Sequence, residues 1–345
     1  MYVTSLHVRH VRSHSDALVQ FSPHVTLITG ANGSGKTSLV EAIYIGLQGS
    51  SFKGSDNDIL QAGSPWYRIE LRTDDHEART VKFDPVRTSG RKQFIIDSKT
   101  TYRMTTQAKY PVVLFEPDDL RLISGSPTRR RQFIDRFVSQ LDPQYAIALR
   151  RYERALKQRN LLLKQNAHRD DLFAWNISLS EYGAYIITQR IRFVSQLNDR
   201  LNATYGTISQ TDDTVTILYS EKAHANMKQK LLADLDARSE RDALLGFTSV
   251  GPHRHDVLFE FNGASALTVA SRGETRSIVL ALKFLEIGII EELTSKKPIV
   301  ILDDVFSELD KTRQKHLASF TKETQMIITS ATASSSVKAD VHIEL

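Results

Sequence analysis

Residues 30–37 form a glycine-rich segment whose spacing is suited to holding phosphate groups. They fit the pattern G-x-x-x-x-G-K-[ST] and read Gly30, Ala31, Asn32, Gly33, Ser34, Gly35, Lys36 and Thr37, with Ser38 next. Glycines allow the tight turn that points successive backbone N–H groups at phosphate oxygens. Lys36 offers a cation to the β and γ phosphates, and Thr37 offers a hydroxyl to Mg²⁺. The segment predicts a nucleoside triphosphate site; a turn that merely caps a helix is the alternative.

Two adjacent carboxylates, Asp303 and Asp304, follow the nearly all-apolar residues 298–302. Such a run is typical of a strand that is buried on both faces of a parallel sheet. A phosphate loop needs an acidic group on a neighbouring strand. We therefore expect Asp303 to hold Mg²⁺ and Asp304 to orient or deprotonate the attacking water. The alternative is a polar strand end whose carboxylates are only solvated.

The start of a predicted helix over 271–293 is a third candidate site. Ser271, Arg272, Gly273 and Glu274 stand there, and Ser271 with Glu274 could form a capping box. The order of phosphate loop, insertion, serine-glycine signature and acidic strand also occurs in ATP-binding-cassette heads. In those heads the signature helix points its N-terminus at the γ-phosphate held by a second subunit. This order favours a signature that acts on the opposite copy.

Two further positions are candidates for nucleotide-linked roles. Ser307 and Asp310 follow the acidic strand and resemble the D-loop of such heads, although an ordinary strand-to-helix turn is the alternative. Arg12 lies near the end of the first predicted strand. It could contact the nucleotide, or it could be a plain surface charge.

The surrounding elements indicate an α/β fold interrupted by helices. Strands are predicted at 25–29, 67–72, 80–83, 93–97, 215–219, 257–261, 298–302 and 326–329. Residues 117–202 show helical spacing instead. Neither α/β segment looks complete alone. We therefore predict one ATPase head, formed by 1–112 and 206–345, with a helical arm inserted at 113–205.

The composition limits the class of protein. The chain has 345 residues, of which 41% are hydrophobic and 25% are charged, which is typical of globular proteins and excludes disordered chains. Cysteine is absent, which excludes disulfides and thiolate-bound metals and favours a reducing compartment. There is neither a leader-like N-terminus nor an apolar stretch of membrane-spanning length. We therefore expect a cytoplasmic protein without a membrane partner.

Positive charge is concentrated in the predicted arm. Residues 121–164 contain 11 Lys and Arg but three acidic residues, whereas the net charge of the whole chain is +5. Such a segment could contact DNA phosphates. The candidates are Arg129, Arg130, Arg131, Arg150, Arg151, Arg154 and Lys157. A solvated basic face, or arginines packed against acidic residues of the head, is the alternative.

Segments along nearly the whole chain resemble the RecF family of bacterial recombination mediators. They are residues 114–120, 125–135, 152–164, 251–254 and 302–310, together with Trp175. The Asp-Asp pair, in place of the Asp-Glu of transporter ATPases, is also typical of that family. Its signature usually reads Ser-Gln-Gly-Gln, so Arg272 and Glu274 are departures, as are Ala31 and His255.

The resemblance implies an ABC/SMC-type P-loop ATPase head, with a mixed sheet and helices, that carries an inserted helical arm. It also implies ATP and Mg²⁺ as cofactors, an ATP-dependent homodimer, and weak DNA-dependent ATP hydrolysis that acts as a timer. The expected partners are double-stranded DNA, single-strand/double-strand junctions and RecR, with RecO and, indirectly, RecA. The expected role is in recombinational repair and replication restart.

Two rival interpretations stay open. A transporter-type ATPase subunit would need a switch histidine after the strand at 326–329, where Thr329 and Ser330 stand instead. A scaffold that binds ATP without hydrolysing it would carry the same phosphate loop.

Overall fold

The chain forms two compact units, residues 1–119 with 286–345 and residues 120–285, which are called the first and the second unit below. The computed structural model describes residues 1–87, 90–165, 167–305, 309–310, 312–314, 324–332 and 338–345. The boundary at 285 falls inside the long helix that ends the second unit.

A five-stranded parallel sheet carries the site in the first unit. Its strands are β3 (Val25–Thr29), β8 (Val112–Phe115), β12 (Ile299–Asp303), β13 (Met326–Ser330) and β14 (Val341–Glu344), in the order β14-β3-β13-β12-β8. Every residue of β8, β12 and β13 is buried, as expected of strands covered on both faces. Parallel strands bring their carboxyl ends to one edge. β13 therefore separates the loop after β3 from the acidic end of β12.

The second sheet of this unit is antiparallel and has six strands. They are β1 (Val3–Val11), β2 (His14–Gln20), β4 (Tyr67–Thr73), β5 (Ala78–Phe83), β6 (Gln93–Ile96) and β7 (Lys99–Thr101), in the order β2-β1-β4-β5-β6-β7. The sequence did not predict β2, β7, β8 or β14. β2 explains why, because only Val19 of its seven residues is buried, so the alternation that signals a strand is missing.

Helix α1 (Lys36–Gln48) joins the two sheets into one core. All of its residues except Thr37 are buried, and it packs against β1, β4 and β5 of one sheet and β8, β12 and β13 of the other. A helix enclosed on all sides should be apolar on all sides, and α1 is apolar over most of its length. Its burial fixes the phosphate loop that precedes it. A short helix, α2 (Asp56–Ile59), follows.

The second unit is mainly helical. It contains α3 (Pro127–Leu141), α4 (Pro143–Lys164), α5 (Arg169–Ser209), α6 (Met227–Ala237), α7 (Ser239–Leu245) and α8 (Ala266–Val269), and the first part of α9 (Arg272–Thr294). A small antiparallel sheet has the order β11-β10-β9, from β9 (Val215–Tyr219), β10 (Val257–Phe261) and β11 (Ala264–Ser265). A 3-10 turn, Pro117–Arg121, precedes α3.

The second unit continues past residue 205, where the predicted insertion ends. The reason is the attachment of β9 to α5. The Asn198 side chain both donates to the carbonyl of Ile217 and accepts from its N–H, each at 2.8 Å. Asn202 accepts from the N–H of Val215 at 2.7 Å. These bonds pair the sheet with the helical part of the chain.

Within the described residues, every helix is too short or too polar to span a bilayer.

Candidate functional site

The loop at 30–35 joins β3 to α1 in a backbone conformation that requires glycine. Gly33 and Gly35 have φ angles of +87° and +100°, which L side chains rarely adopt. A Cβ on Gly35 would also lie 2.3 Å from Nε2 of His14 and 2.6 Å from Oγ of Ser13. Conformation and close packing therefore both exclude a side chain at this position.

The loop borders a cavity of about 500 Å³ in the first unit. Lys36 Nζ donates to the carbonyls of Gly30 at 2.8 Å and Ala31 at 3.1 Å. Ser34 Oγ is buried and has no hydrogen-bond partner among the described residues. The cavity is lined by Arg12, Ser13, Asn32, Gly33, Gly35, Lys36, Thr37, Ser38 and Asp304. The structure thus brings together the phosphate loop and one of the two predicted carboxylates.

Asp303 is buried and accepts hydroxyl hydrogen bonds from two threonines. Thr37 Oγ1 lies 2.8 Å from Oδ1 and 3.1 Å from Oδ2 of Asp303, and Thr329 Oγ1 lies 2.9 Å from Oδ1. The Thr37 hydroxyl thereby keeps its oxygen lone pairs for another partner. No cluster of three or more His, Cys, Asp or Glu in the described part of the chain could hold a metal alone. Two oxygens from the protein fit Mg²⁺, which takes its other ligands from phosphates and water.

Asp304 has different surroundings from its neighbour. Its φ angle is +53°, and its N–H donates to Thr329 Oγ1 at 2.9 Å. Partial burial raises the pKa of Asp304, Lys36 opposes the rise, and the charge of Asp303 adds to it. A carboxyl group of raised basicity that lines the cavity is suited to accepting a proton from water.

Arg12 lines the same cavity and is held by a buried carboxylate. Its Nε and Nη2 donate to the two oxygens of Glu41 at 2.6 and 3.0 Å, and Glu41 is 1% exposed. This hydrogen bond raises the pKa of Arg12. The φ angle of Arg12 is +47°. Such a residue is positioned at the cavity and is not a free surface charge, while its contact with nucleotide stays a prediction.

The candidate signature belongs to the second unit and forms the capping box that the sequence allowed. The N–H of Ser271 donates to Oε2 of Glu274 at 2.6 Å, and the N–H of Glu274 donates to Oγ of Ser271 at 3.3 Å. Ser271 and Arg272 are exposed, and Gly273 is half-buried. The capping box leaves Ser271 exposed at the helix start, so a role opposite another copy stays a prediction.

Asp310 belongs to the first unit and caps a helical turn. It accepts from the N–H of Arg313 at 2.9 Å and pairs with the Arg313 guanidinium. The other D-loop candidate, Ser307, lies outside the described residues.

Arg130 is a weak candidate for DNA contact, because its guanidinium is buried and four of its five N–H groups donate within the second unit. Nε and Nη2 donate to the two oxygens of Asp256 at 2.8 and 2.7 Å. Nη1 donates to the carbonyls of Ile123 at 3.1 Å and Gly125 at 2.7 Å. Breaking such a network would leave a buried charge unpaired. Arg130 therefore stabilises the fold.

Arg131 and Arg129 are also partly committed to the fold. Arg131 Nη1 donates to the carbonyl of His255 at 2.8 Å, and Nη2 donates to Thr128 Oγ1 at 2.9 Å. Burial, and then the positive charge of Arg190, lower the pKa of Arg131. Arg129 is half-buried. Both are weaker candidates for phosphate contact than an exposed side chain.

The remaining basic candidates share an exposed face of α4. They are Arg150, Arg151, Arg154 and Lys157. Arg151 lies over the ring of Tyr182, 5.5 Å from its centroid, and donates to its hydroxyl at 3.0 Å. This stacking orders one cation of the face without burying it.

Two side chains that contact the aspartate pair were not among the residues predicted from the sequence. Lys53 Nζ lies 3.1 Å from Oδ2 of Asp303. The hydroxyl of Thr329 donates to Asp303 and accepts from the N–H of Asp304. No local pattern marks Lys53, which stands in a serine- and glycine-rich loop. Thr329 was noted only because it stands where a transporter-type ATPase would need its switch histidine.

Comparisons with known proteins show which family the chain resembles. The model of the family described as RecF/RecN/SMC N terminal domain matches residues 2–345. A DNA replication and repair protein RecF from Streptococcus thermophilus is 33% identical over 95% of this chain and 92% of its own length. One from Clostridium acetobutylicum is 30% identical over the same shares.

Solved structures of a RecF protein and of an Smc head have the same fold as this chain. One described as the recombination mediator protein RecF-ATPrS in the RecFOR pathway has a TM-score of 0.90 and 29% identity, and covers 100% of this chain and 96% of its own. An Smc head bound to the C-winged helix domain of ScpA has a TM-score of 0.56 and 16% identity, covers 100% of this chain and 94% of its own, and shares the fold alone. The chain belongs to the RecF/RecN/SMC N terminal domain family and, within it, to the RecF proteins.

Proposed function

We propose that the chain is an ATP-dependent DNA-binding protein of recombinational repair and replication restart. One observation carries the nucleotide part of this proposal. Lys36, Thr37 and Asp304 line one cavity, and Thr37 is hydrogen-bonded to the buried Asp303. Curated relatives are named DNA replication and repair protein RecF, and a solved RecF structure with 29% identity is described as RecF-ATP.

Different residues at and beside the cavity bind ATP and hydrolyse it. The amides of the loop and Lys36 hold the phosphates of ATP. Thr37 and Asp303 hold Mg²⁺, which when bound offsets negative charge on the phosphates. Asp304 orients the attacking water and accepts its proton. Hydrolysis is slow and serves as a timer.

Two copies of the chain enclose each ATP in this proposal. One copy supplies the phosphate loop, and the other supplies the helix start at Ser271–Glu274. Support comes from the exposure of Ser271 at the N-terminus of α9, an end that favours negative charge. Asp310 would lie at the same contact between copies.

The ATP-bound dimer holds duplex DNA, with a preference for single-strand/double-strand junctions. The exposed face of α4 supports contact with phosphates, and the absence of a base-reading motif in the sequence favours weak sequence preference. RecR, with RecO, is the proposed partner, and RecA loading is the outcome. The two solved RecF structures are described as belonging to the RecFOR pathway.

Sedimentation velocity with and without Mg·ATP and duplex DNA tests the proposal. We expect a monomer without ATP, a dimer with ATP, and a DNA complex that forms only with ATP. Lys36→Ala removes the cation for the β and γ phosphates and should prevent both changes. A Lys36→Ala variant that still dimerises with ATP would count against the assignment of the phosphate loop.

Turnover separates the proposal from its rivals. A non-hydrolysing scaffold predicts no phosphate release with or without DNA, whereas a timer predicts slow release that DNA stimulates. A transporter-type subunit predicts turnover that does not respond to DNA. Phosphate release measured at equal protein concentration, with and without duplex DNA, distinguishes the three.

A further inference from the structure

A lysine outside the phosphate loop lies against the carboxylate that is proposed to hold Mg²⁺. Lys53 Nζ is 3.1 Å from Oδ2 of Asp303, and the Lys53 side chain is 40% exposed whereas that of Asp303 is 1% exposed. A buried carboxylate needs hydrogen bonds or a cation to offset the cost of losing water. Two hydroxyls supply hydrogen bonds to Asp303, and Lys53 supplies the positive charge.

The backbone that carries Lys53 is fixed to α1. Ser51 Oγ accepts from the N–H groups of Lys53 at 2.8 Å and Gly54 at 2.9 Å. The same hydroxyl donates to Glu41, the buried carboxylate that also binds Arg12. The Lys53 side chain has a flexible four-carbon stem. It can therefore leave Asp303 while the backbone of its loop stays in place.

A divalent cation and an ammonium group cannot share Asp303 without cost. Mg²⁺ held by Thr37 and Asp303 would be within a few ångströms of Lys53 Nζ, because Thr37 Oγ1 and Lys53 Nζ contact the same Oδ2 atom at 3.1 Å each. Like charges at that distance repel each other, especially beside a buried group. The two cations are therefore alternatives.

We propose that Lys53 is a tethered counter-ion of Asp303 that divalent metal must displace, so that it sets the Mg²⁺ concentration at which the site fills. This inference rests on the proposed nucleotide site and adds a regulation of it. Lys53 is a positioning residue here, because it acts through Asp303.

The Mg²⁺ dependence of nucleotide binding tests the proposal. A fluorescent ATP analogue is titrated at buffered free Mg²⁺ with wild type, Lys53→Gln and Lys53→Arg. Lys53→Gln should lower the half-saturating Mg²⁺ concentration about two- to fivefold, as expected for loss of one partly exposed ion pair. Lys53→Arg should stay near wild type. Lys99→Gln, which removes an exposed charge on β7, is the matched control and should change nothing.

A second measurement separates this inference from the nucleotide site itself. Mn²⁺ binding without nucleotide, followed by electron paramagnetic resonance, should be tighter in Lys53→Gln than in wild type. Equal Mn²⁺ affinities and an unchanged Mg²⁺ midpoint would overturn the proposal. So would weaker nucleotide binding by Lys53→Gln at saturating Mg²⁺, because Lys53 would then act on the nucleotide. Failure of wild type to bind ATP at any Mg²⁺ concentration would instead refute the proposed function.

Discussion

Asp303 and Asp304 are adjacent in the chain but face different environments. Asp303 is buried, and the hydroxyls of two threonines and one ammonium group contact its oxygens. Asp304 lines the cavity, and burial raises its pKa. A carboxylate with several partners is suited to holding a cation, and one with raised basicity is suited to proton transfer. Their surroundings therefore support different roles.

Replacing Asp304 with Asn should separate hydrolysis from binding. We expect ATP turnover to fall about 100-fold or more, because the amide cannot accept the proton of the attacking water. ATP binding and dimerisation should remain, since Asp303 is untouched. The complex with DNA should then last longer than that of wild type. Single-turnover phosphate release and DNA dissociation rates measure the two effects.

The matched variant is Asp303→Asn, which should lose Mg²⁺-dependent nucleotide binding instead. Turnover of Asp304→Asn equal to that of wild type would show that Asp304 does not position the water.

The contacts of single residues were predictable from sequence only where the chemistry is local. Glycine spacing indicates the phosphate loop because the loop makes its own turn. Lys53 reaches Asp303 across 250 residues of chain, and Thr329 reaches it from another strand. Such contacts follow from the packing of the sheets around α1, which no local pattern records.

Helix α4 illustrates what periodicity does and does not reveal about an element. Tyr145, Ala148, Tyr152 and Ala155 are buried, and the next position of that stripe is Arg159, which has no exposed surface. Arg159 donates to Asp242 at 2.7 Å and to Thr248 at 2.8 Å. The spacing of the buried residues extends to Arg159, although an arginine is by its type expected to be exposed. Its neutralising partner lies 83 residues away and could not be inferred.

The opposite face of α4 should carry part of the DNA affinity. The triple variant Arg150→Gln, Arg154→Gln and Lys157→Gln removes three exposed charges at positions i, i+4 and i+7. If each meets a phosphate, the slope of log K against log salt should become shallower by about 2–3. Fluorescence anisotropy of labelled duplex at several salt concentrations measures this slope.

A second triple variant of equal charge provides the control for α4. It is Lys222→Gln, Arg238→Gln and Arg241→Gln, at exposed positions of the second unit. This variant should bind DNA with the wild-type slope. Equal slopes for all three proteins would mean that α4 does not contact the phosphates and that its basic face is only solvated.

At the scale of the whole molecule, each half of the proposed ATP site belongs to a different compact unit. The phosphate loop and both aspartates are in the first unit, and Ser271–Glu274 are in the second. The sequence predicted both motifs, and their order favours a signature that acts on the nucleotide of the opposite copy. Paired variants can decide this, because a lesion on one copy can be compensated only by the other.

Mixing Lys36→Ala with Ser271→Arg should restore ATP turnover if the site is shared between copies. Each variant alone has no intact site. A mixed dimer combines the intact loop of the Ser271→Arg copy with the intact Ser271 of the Lys36→Ala copy. The ATP in that one intact site would hold the mixed dimer together. Turnover should therefore recover in part, to about a quarter of wild type if half of the dimers are mixed.

Lys36→Ala mixed with Thr37→Ala is the matched control, since both lesions lie in the loop and no pairing yields an intact site. That mixture should stay inactive. If Ser271 instead served the nucleotide of its own copy, every chain in the first mixture would be defective, and mixing would restore nothing. Recovery in the first mixture and none in the second would establish that ATP is bound between two molecules.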